Sequence, residues 1–373
     1  MSKIERVEAT SVRVPLENPP AFAWRRVPAR EYTLVRVTDD DGLEGLGFLH
    51  AGPSGSTLGA RAVRDLLAPA LIGQDPTETE RLWSLMYHES LLHGRVGIVL
   101  RALSAVDQAL WDRNARAAGL PLWRYLGAAK QDRVPTYASG GYYLPGKGPD
   151  SLAAELRGYV DQGFRAVKIK IGRVSPEEDE ERLAAGRDAV GPDVEIMLDA
   201  NNAFPDLPTA LRAIRRLESY RPAWIEEPFS PDDATNHRRL AERTRIPVAT
   251  GEIEGPRWRH ETLLRDGGVS ILQTDAGVCG GVTEFRRIAN MASAHGVVLN
   301  PHAFHHLHLH LVASAPNAVY VEYFPDNEVV NFPLLVDWQP TVHDGLLELP
   351  ERPGFGYRFV EEQVRRYQLD GWN

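Results

Sequence analysis

From about residue 134 onward the chain repeats one alternation: a short apolar run, then a polar stretch in which Leu, Ala and Ile recur at helical spacing. The apolar runs are "VPTYAS", "AVKIKIG", "VEIMLDAN", "PAWIEEP", "PVATGE", "VSILQTD", "VVLNPH" and "AVYVEY". Stretches such as "SPEEDEERLAAGRDAV" and "TEFRRIANMASAHG" lie between them, with acidic residues in their first turns, as helices favour. Strands alternating with helices at a regular period predict a closed parallel α/β barrel rather than an open doubly wound sheet. The chain ahead of residue 125 follows another pattern. "IERVEATSVRVPL" and "EYTLVRVTDDDGLEGLGF" read as antiparallel strands, the latter turning at "DDDG", and helices are expected from about Leu58 to Ala118. This predicts an α+β capping unit over 1–125, a barrel over 126–343 and a C-terminal segment over 344–373 that returns to pack on the cap.

Within "AVKIKIG", alternation puts Val167, Ile169 and Ile171 on one side of a strand and Lys168 and Lys170 on the other. Both faces of a parallel barrel strand are covered, so two ammonium groups there are costly, which points to a use. The carboxyl ends of the other runs carry Asp199, the pair Glu226 and Glu227, Glu252, Asp275, His302 and Glu322. In a parallel barrel these ends share one face, where such proteins build their sites. Asp199, one glutamate of the pair and Glu252 fall on adjacent strands. Carboxylates brought together repel unless a cation holds them, and an all-oxygen set favours Mg²⁺. Alternation alone does not choose between Glu226 and Glu227, because neighbours face opposite ways. Lys170 on one side and His302, beside Asp275, on the other are candidate proton-transfer groups. A metal between two such groups suits removal of a proton next to a carboxylate. Lys170 would then need a lowered pKa, with burial, Lys168 and the metal as the expected causes.

The bulk numbers narrow the choice of partner. The 373 residues hold 42 basic and 51 acidic side chains, a net charge of −9, with no block of like charges. This argues against nucleic acid or a membrane surface as partner and leaves a small-molecule carboxylate. "MSKIERVEAT" has no apolar signal core and no run is long enough to span a bilayer, so a cytoplasmic protein is expected. Cys279 is the single cysteine, read as a small buried hydrophobe. "GPSGSTLG" lacks a phosphate-loop lysine and is expected to be a mobile loop. In "HAFHHLHLHL", His306 and His310 stand at a spacing known from zinc sites, but no Cys or Glu completes a set, so a helix packed outside the barrel is the expectation. Trp111 falls on an apolar helical stripe and is read as core.

Taken in order, "KIK", "LDAN", "WIEEP", "TGE", "QTD", "NPHAF" and "VEY" resemble the enolase superfamily, specifically its mandelate racemase-like subgroup, over nearly the whole chain. The resemblance implies a modified (β/α)7β TIM-type barrel with an N-terminal α+β capping domain. It implies one Mg²⁺ on Asp199, Glu226 and Glu252, with Lys170 as base on one face of the substrate and His302, paired with Asp275, on the other. A Lys or His base working with Mg²⁺ is a general property of that superfamily. Lys168 would tune Lys170 and help hold the substrate carboxylate, Glu322 would hydrogen-bond it, and Asn201 matches an Asn two residues after the first metal ligand. The favoured activity is dehydration of an aldonate or aldarate to a 2-keto-3-deoxy acid. A 2-hydroxy-acid racemase or epimerase and a lactone cycloisomerase share the same first step, whereas a Schiff-base aldolase has no need of three metal-gathering carboxylates. A sugar-acid binder without turnover would not keep both bases. In "NPPAFAWRRVPAREY", Trp24, Arg25 and Arg26 fall where the family places a lid, and His50 falls on a second such loop; with Tyr143 they are the candidate substrate-binding residues, alongside Tyr137 and Tyr142 near the first strand's end. An arginine there could clamp a distal carboxylate, the ordinary alternative being a solvated surface arginine. A homo-oligomer is expected.

Overall fold

The computed structural model describes residues 2–130, 132–326 and 329–373. Its strands are β1 (Ile4–Pro15), β2 (Ala21–Phe22), β3 (Arg25–Arg26), β4 (Ala29–Asp39), β5 (Glu44–His50), β6 (Arg133–Ser139), β7 (Ala166–Lys170), β8 (Glu195–Asp199), β9 (Ile225–Glu226), β10 (Val248–Thr250), β11 (Ile271–Leu272), β12 (Val298–Leu299), β13 (Val321–Tyr323), β14 (Val342–His343) and β15 (Leu346–Glu348). The α-helices are α1 (Ser56–Ala62), α2 (Ala68–Leu71), α3 (Thr79–Ser90), α4 (Ile98–Ala117), α5 (Leu122–Tyr125), α6 (Pro149–Asp161), α7 (Pro176–Val190), α8 (Leu207–Leu217), α9 (Ala234–Ala241), α10 (Arg257–Asp266), α11 (Gly281–Ala294), α12 (His305–Ser314) and α13 (Glu361–Tyr367).

Strands β6 to β12 pair in parallel in sequence order, and β13 returns to pair in parallel with β6. A parallel bridge from Leu299 to Ala318 closes the ring. One helix, α6 to α12 in turn, follows each of the first seven strands, which is the (β/α)7β arrangement. The helices start where the sequence caps them. Ser175 and Glu178 form a reciprocal capping box ahead of α7, and the Asp206 side chain accepts from the Thr209 amide at the start of α8. Outside the ring, Val167, Ile169 and Ile171 pack with Leu152, Leu156 and Leu183 of α6 and α7. Inside it, Tyr137, Met197, Trp224 and Ala249 make an apolar plug. Charged side chains stand on that plug.

The cap is an antiparallel sheet in the order β1, β4, β5, with β4 and β5 joined by the Asp-rich turn. Helix α4 lies against β5 so closely that a Cβ on Gly47 would stand 1.9 Å from the Ala105 carbonyl oxygen. Glycine is therefore dictated there by the helix contact. The C-terminal segment returns along β1: the amide of Leu369 donates to the Ser11 carbonyl, and Ser11 donates to the Asp370 carboxylate. "GPSGSTLG" differs from expectation. Only its first half is loop, because the amide and hydroxyl of Ser56 both donate to Glu31, and this anchors the first turn of α1.

The histidines of α12 are all buried in the packing between helix, cap and tail. Nδ1 of His310 accepts from the Trp123 amide and Nε2 meets the Phe355 carbonyl, which uses both nitrogens. His306 is enclosed by Phe332, Trp338 and Tyr357. No zinc set forms around them among the described residues. Cys279 and Trp111 are likewise buried, the indole of Trp111 donating to Thr283.

Candidate active site

A cavity of about 390 Å³ opens above the carboxyl ends of the barrel strands, between barrel and cap. Its floor is built from strand ends. Lys170 closes β7, Asp199 closes β8 and Glu226 closes β9, so consecutive parallel strands bring them side by side. Glu252 stands two residues beyond β10. Carboxylate oxygens of Asp199, Glu226 and Glu252 lie within 4.8 Å of one another, all three residues buried. Glu227 takes a positive φ of 42°, which turns it out of the strand, and it lines the cavity with Oε1 buried and unpartnered.

Beneath this set sits Lys168, fully buried, its Nζ 2.7 Å from Glu226 Oε1, 2.7 Å from Glu322 Oε1 and 3.7 Å from Asp199. Burial alone would strip its proton, but Glu226 and Glu322 hold its pKa well above the ordinary value. Glu322 itself is pushed up by burial but drawn down to about 2 by Lys168, His302 and Lys170, and its Oε2 accepts from the Ala303 amide. Glu226 is pushed up to about 8 by burial and by its neighbour Asp199, against the pull of Lys168. Crowded acids of this kind are relieved by a cation. Glu252 Oε2 and the Asn201 side-chain oxygen are buried without partners, so hard oxygen donors remain to complete a shell. The residues present fit Mg²⁺.

Lys170 donates to Asp199 at 2.5 Å, and the Tyr142 and Phe22 rings lie 4.9 and 5.6 Å from its Nζ. Its pKa departs from expectation. Burial lowers it and Lys168 adds to that, but Asp199 outweighs both and holds it above the ordinary lysine value. The reason is that Asp199 directs an oxygen at the ammonium; a cation drawing on the same carboxylate weakens that hold. His302 follows β12, with Nδ1 3.0 Å from Asp275 Oδ2 and Nε2 3.5 Å from Glu252. Burial disfavours its charged form, but Glu252, Asp275 and Glu322 together raise its pKa to about 10. Asp275 also accepts from the Gly277 amide at 2.6 Å, which fixes the carboxylate that orients the imidazole. Lys170 and His302 thus flank the carboxylate set from its Asp199 and Glu252 ends. Asn201, at φ 43°, donates its amide to Asp199 and faces the cavity.

The cap supplies the opposite wall. His50 lines the cavity at the end of β5, its Nε2 buried without a partner, and burial with Arg30 and Arg101 nearby keeps its pKa far below 6.5. Arg25 lies at the rim and stacks on Trp24, its guanidinium 4.3 Å from the ring centroid. Four expected contacts are not among the cavity walls. Trp24 is 71% exposed and Arg26 points to solvent from a two-residue strand. Tyr143 donates its hydroxyl to Asp179 and lies under Arg182, while its neighbour Tyr142 faces the cavity, since adjacent residues point opposite ways. Tyr137 is buried in the plug. Sequence reasoning did not single out Arg30 on β4 or Arg101 on α4, which also line the cavity. Both sit among apolar neighbours of regular elements, and only the meeting of cap and barrel reveals them.

Residues 4–127 match the N-terminal domain profile of mandelate racemase and muconate lactonizing enzyme, and residues 151–363 match the enolase C-terminal domain-like profile. The chain belongs to this enolase-superfamily family. Among its relatives, L-talarate/galactarate dehydratase of Salmonella typhimurium is 33% identical, covering 98% of this chain and 91% of that protein. Arabinonate dehydratase of Saccharolobus solfataricus is 36% identical over 82% of each chain. Among solved structures, a racemase from Streptomyces coelicolor with bound magnesium superposes with a TM-score of 0.92 at 31% identity, covering 98% of this chain and all of that one. L-Talarate dehydratase from Polaromonas sp. JS666, complexed with Mg and L-glucarate, gives 0.90 at 30% identity, over 100% of this chain and 99% of that one. This family's barrel and cap are the fold seen here. No helix among the described residues is long and apolar enough to cross a membrane.

Proposed function

We propose that this protein is a Mg²⁺-dependent acid-sugar dehydratase that converts an aldonate or aldarate to a 2-keto-3-deoxy acid. The observation carrying this reading is that two proton-transfer groups, Lys170 and His302, flank three convergent buried carboxylates at the strand ends of one cavity. The dehydratases among its relatives support it. Asp199, Glu226 and Glu252 would hold Mg²⁺, which supplies positive charge where the carboxylate of the deprotonated substrate gathers its own.

This chain's residues do the rest. Lys168, paired with Glu322 beneath the carboxylate set, holds Glu226 and Asp199 in position. Lys170 removes the C2 proton from one face, and the electron pair left on carbon forms the C2–C3 double bond as the C3–O bond breaks. His302, held by Asp275, gives its Nε2 proton to the departing hydroxyl, which leaves as water, and the enol so formed becomes the ketone. Tyr142 and Phe22 shield Lys170 from solvent. The cytoplasm is the proposed location. A homo-oligomer is also proposed, supported by Leu92 and Trp258 at 94% and 47% exposure, and light scattering of the purified protein tests it.

The test is a panel of acid sugars with Mg²⁺ in D₂O, followed by NMR. Exchange at C2 together with a 2-keto-3-deoxy product, lost on EDTA treatment and restored by Mg²⁺, is the expected result. An epimer would make the protein a racemase and a rearranged lactone a cycloisomerase, the activity two relatives bear in their names. Full activity after exhaustive chelation would overturn the metal-dependent reading.

A further inference from the structure

The side chain of Lys170 is held by Asp199, and its backbone is held by a different part of the barrel. Strand β6 leaves the ladder at Gly140 and Gly141. The Gly140 amide still donates to the Lys168 carbonyl, but the next carbonyl on that side, at Lys170, accepts from Arg182 Nη1 of α7 at 2.8 Å. Two residues on, where Gly172 turns at φ 88°, its amide donates to Asp179 Oδ2 at 2.7 Å. Arg182 and Asp179 are buried one helical turn apart, and Nη1 of the arginine also donates to Oδ1 of the aspartate at 2.7 Å. One ion pair thus clamps the exit of β7 at two successive points.

The same pair reaches the other pieces of chain that enclose the Lys170 ammonium. Arg182 Nη2 donates to the Gly141 carbonyl at 2.8 Å, immediately before Tyr142, whose ring faces Nζ. The Tyr143 hydroxyl donates to Asp179, and the Tyr143 backbone exchanges both its hydrogen bonds with Ala21, immediately before Phe22, the second ring against Nζ. A Cβ on Gly141 would stand 2.6 Å from Ile169 Cβ, so this segment lies directly on β7. Neither Arg182 nor Asp179 lines the cavity. Attaching α7 to the sheet does not require them, because Leu183 already packs there with Val167 and Ile169. A guanidinium fork is planar and rigid, so one that donates to two carbonyls and a carboxylate at once fixes their relative positions.

We infer that Arg182 and Asp179 are positioning residues for Lys170: they set the exit of β7 and, through Gly141 and Tyr143, the two rings that cover its ammonium. This rests on the proposed function for Lys170 as the base. A base must come within about 3.2 Å of the atom whose proton it takes, and an error near 1 Å costs up to about 10²-fold in rate.

The experiment compares the Mg²⁺-loaded parent with Arg182→Gln, Arg182→Lys and Asp179→Asn, by steady-state turnover of acid sugars and by peptide-resolved amide hydrogen exchange. Arg182→Gln is expected to lower kcat by about 30- to 100-fold with KM within about twofold of the parent, because the metal set and the cavity walls are untouched. Arg182→Lys should recover part of kcat, since an ammonium meets one acceptor but does not span all of them. In a Lys170→Ala background, Arg182→Gln should cost nothing further, as a residue acting only through Lys170 requires. Peptides over 140–143 and 168–173 should exchange faster in Arg182→Gln while those of α7 keep their protection. Asp179→Asn, which keeps the shape and loses the charge, gives the same direction should the arginine variant not fold. Equal losses of kcat in both backgrounds overturn the inference, as does loss of protection throughout α7, because either marks a support of the helix and not of the base. A parent that never exchanges the C2 proton overturns the dehydratase reading, and the amide pattern alone then decides whether this pair holds the Lys170 segment, so the two fail separately.

Discussion

Barrel and cap face one cavity with opposite habits. On the barrel floor, Lys168, Lys170, Asp199, Glu226 and Glu322 neutralise one another at distances of 2.5 to 3.7 Å. On the cap wall, Arg25, Arg30 and Arg101 form no close ion pair among the described residues, Arg101 feeling Asp275 and Glu252 only at longer range. A floor paired within itself holds its geometry whether or not substrate is present, which suits chemistry that demands fixed donors. A wall with unpaired charge instead makes its best contacts with what enters, which suits selection. The comparison teaches that fixed, mutually neutralised charge and available charge are supplied to this cavity by separate pieces of chain.

The strongest way to break that division is to change the floor. Lys170→Ala and His302→Asn should each lower kcat about 10³-fold, the range general acid–base groups supply. Unfolding midpoints in urea should stay near the parent value, because both side chains line a cavity. Near-parental turnover in either variant would remove that residue from the chemistry.

A second test compares two histidines of one stretch. Surrounding acids hold His302 up at about 10, whereas burial with only weak backbone partners lowers His310 to about 3. An unfolded histidine titrates near 6.5, so between pH 6.5 and 3 the unfolded chain binds a proton that folded His310 refuses. The stability that neutral His310 contributes is present above pH 6.5 and is lost as pH falls. Between pH 7 and 5 the loss should be roughly 2 kcal/mol from this group. Urea unfolding at both pH values, with His310→Gln as the variant that flattens the slope, measures it; an unchanged slope would contradict a neutral, buried imidazole.

The smallest effect belongs to the boundary between the two regions. Tyr143→Phe removes one hydrogen bond to Asp179 and should reduce stability by about 1 kcal/mol. Its KM should not move. A raised KM would return Tyr143 to the substrate site and blur the division drawn here.

The barrel was legible because its signals repeat. Each apolar run after the first ends in an ionisable group that the parallel arrangement must deliver to the same rim, so Asp199, Glu252 and His302 could be placed together from the pattern alone. Glu226 and Glu227 could not be separated by alternation; the positive φ at Glu227 comes from the loop that follows β9. The wall was harder to read. Arg30 and Arg101 belong to a strand and a helix whose own patterns are ordinary, and their meeting depends on how the cap docks, which no local period encodes. Tyr143 shows the same limit at finer scale, since it and Tyr142 differ by one position and face different neighbours. Lys170 was expected to have a lowered pKa, and the direct contact with Asp199 that reverses it is a matter of side-chain placement.

The last barrel strand, β13, hydrogen-bonds to the first, β6, and carries Glu322 to Lys168. During synthesis, then, nearly the whole polypeptide must leave the ribosome before that lysine meets this partner. Shortened translation products would emerge with an unclosed ring and without one of the two carboxylates nearest that lysine, which makes them substrates for proteolysis instead of partial enzymes.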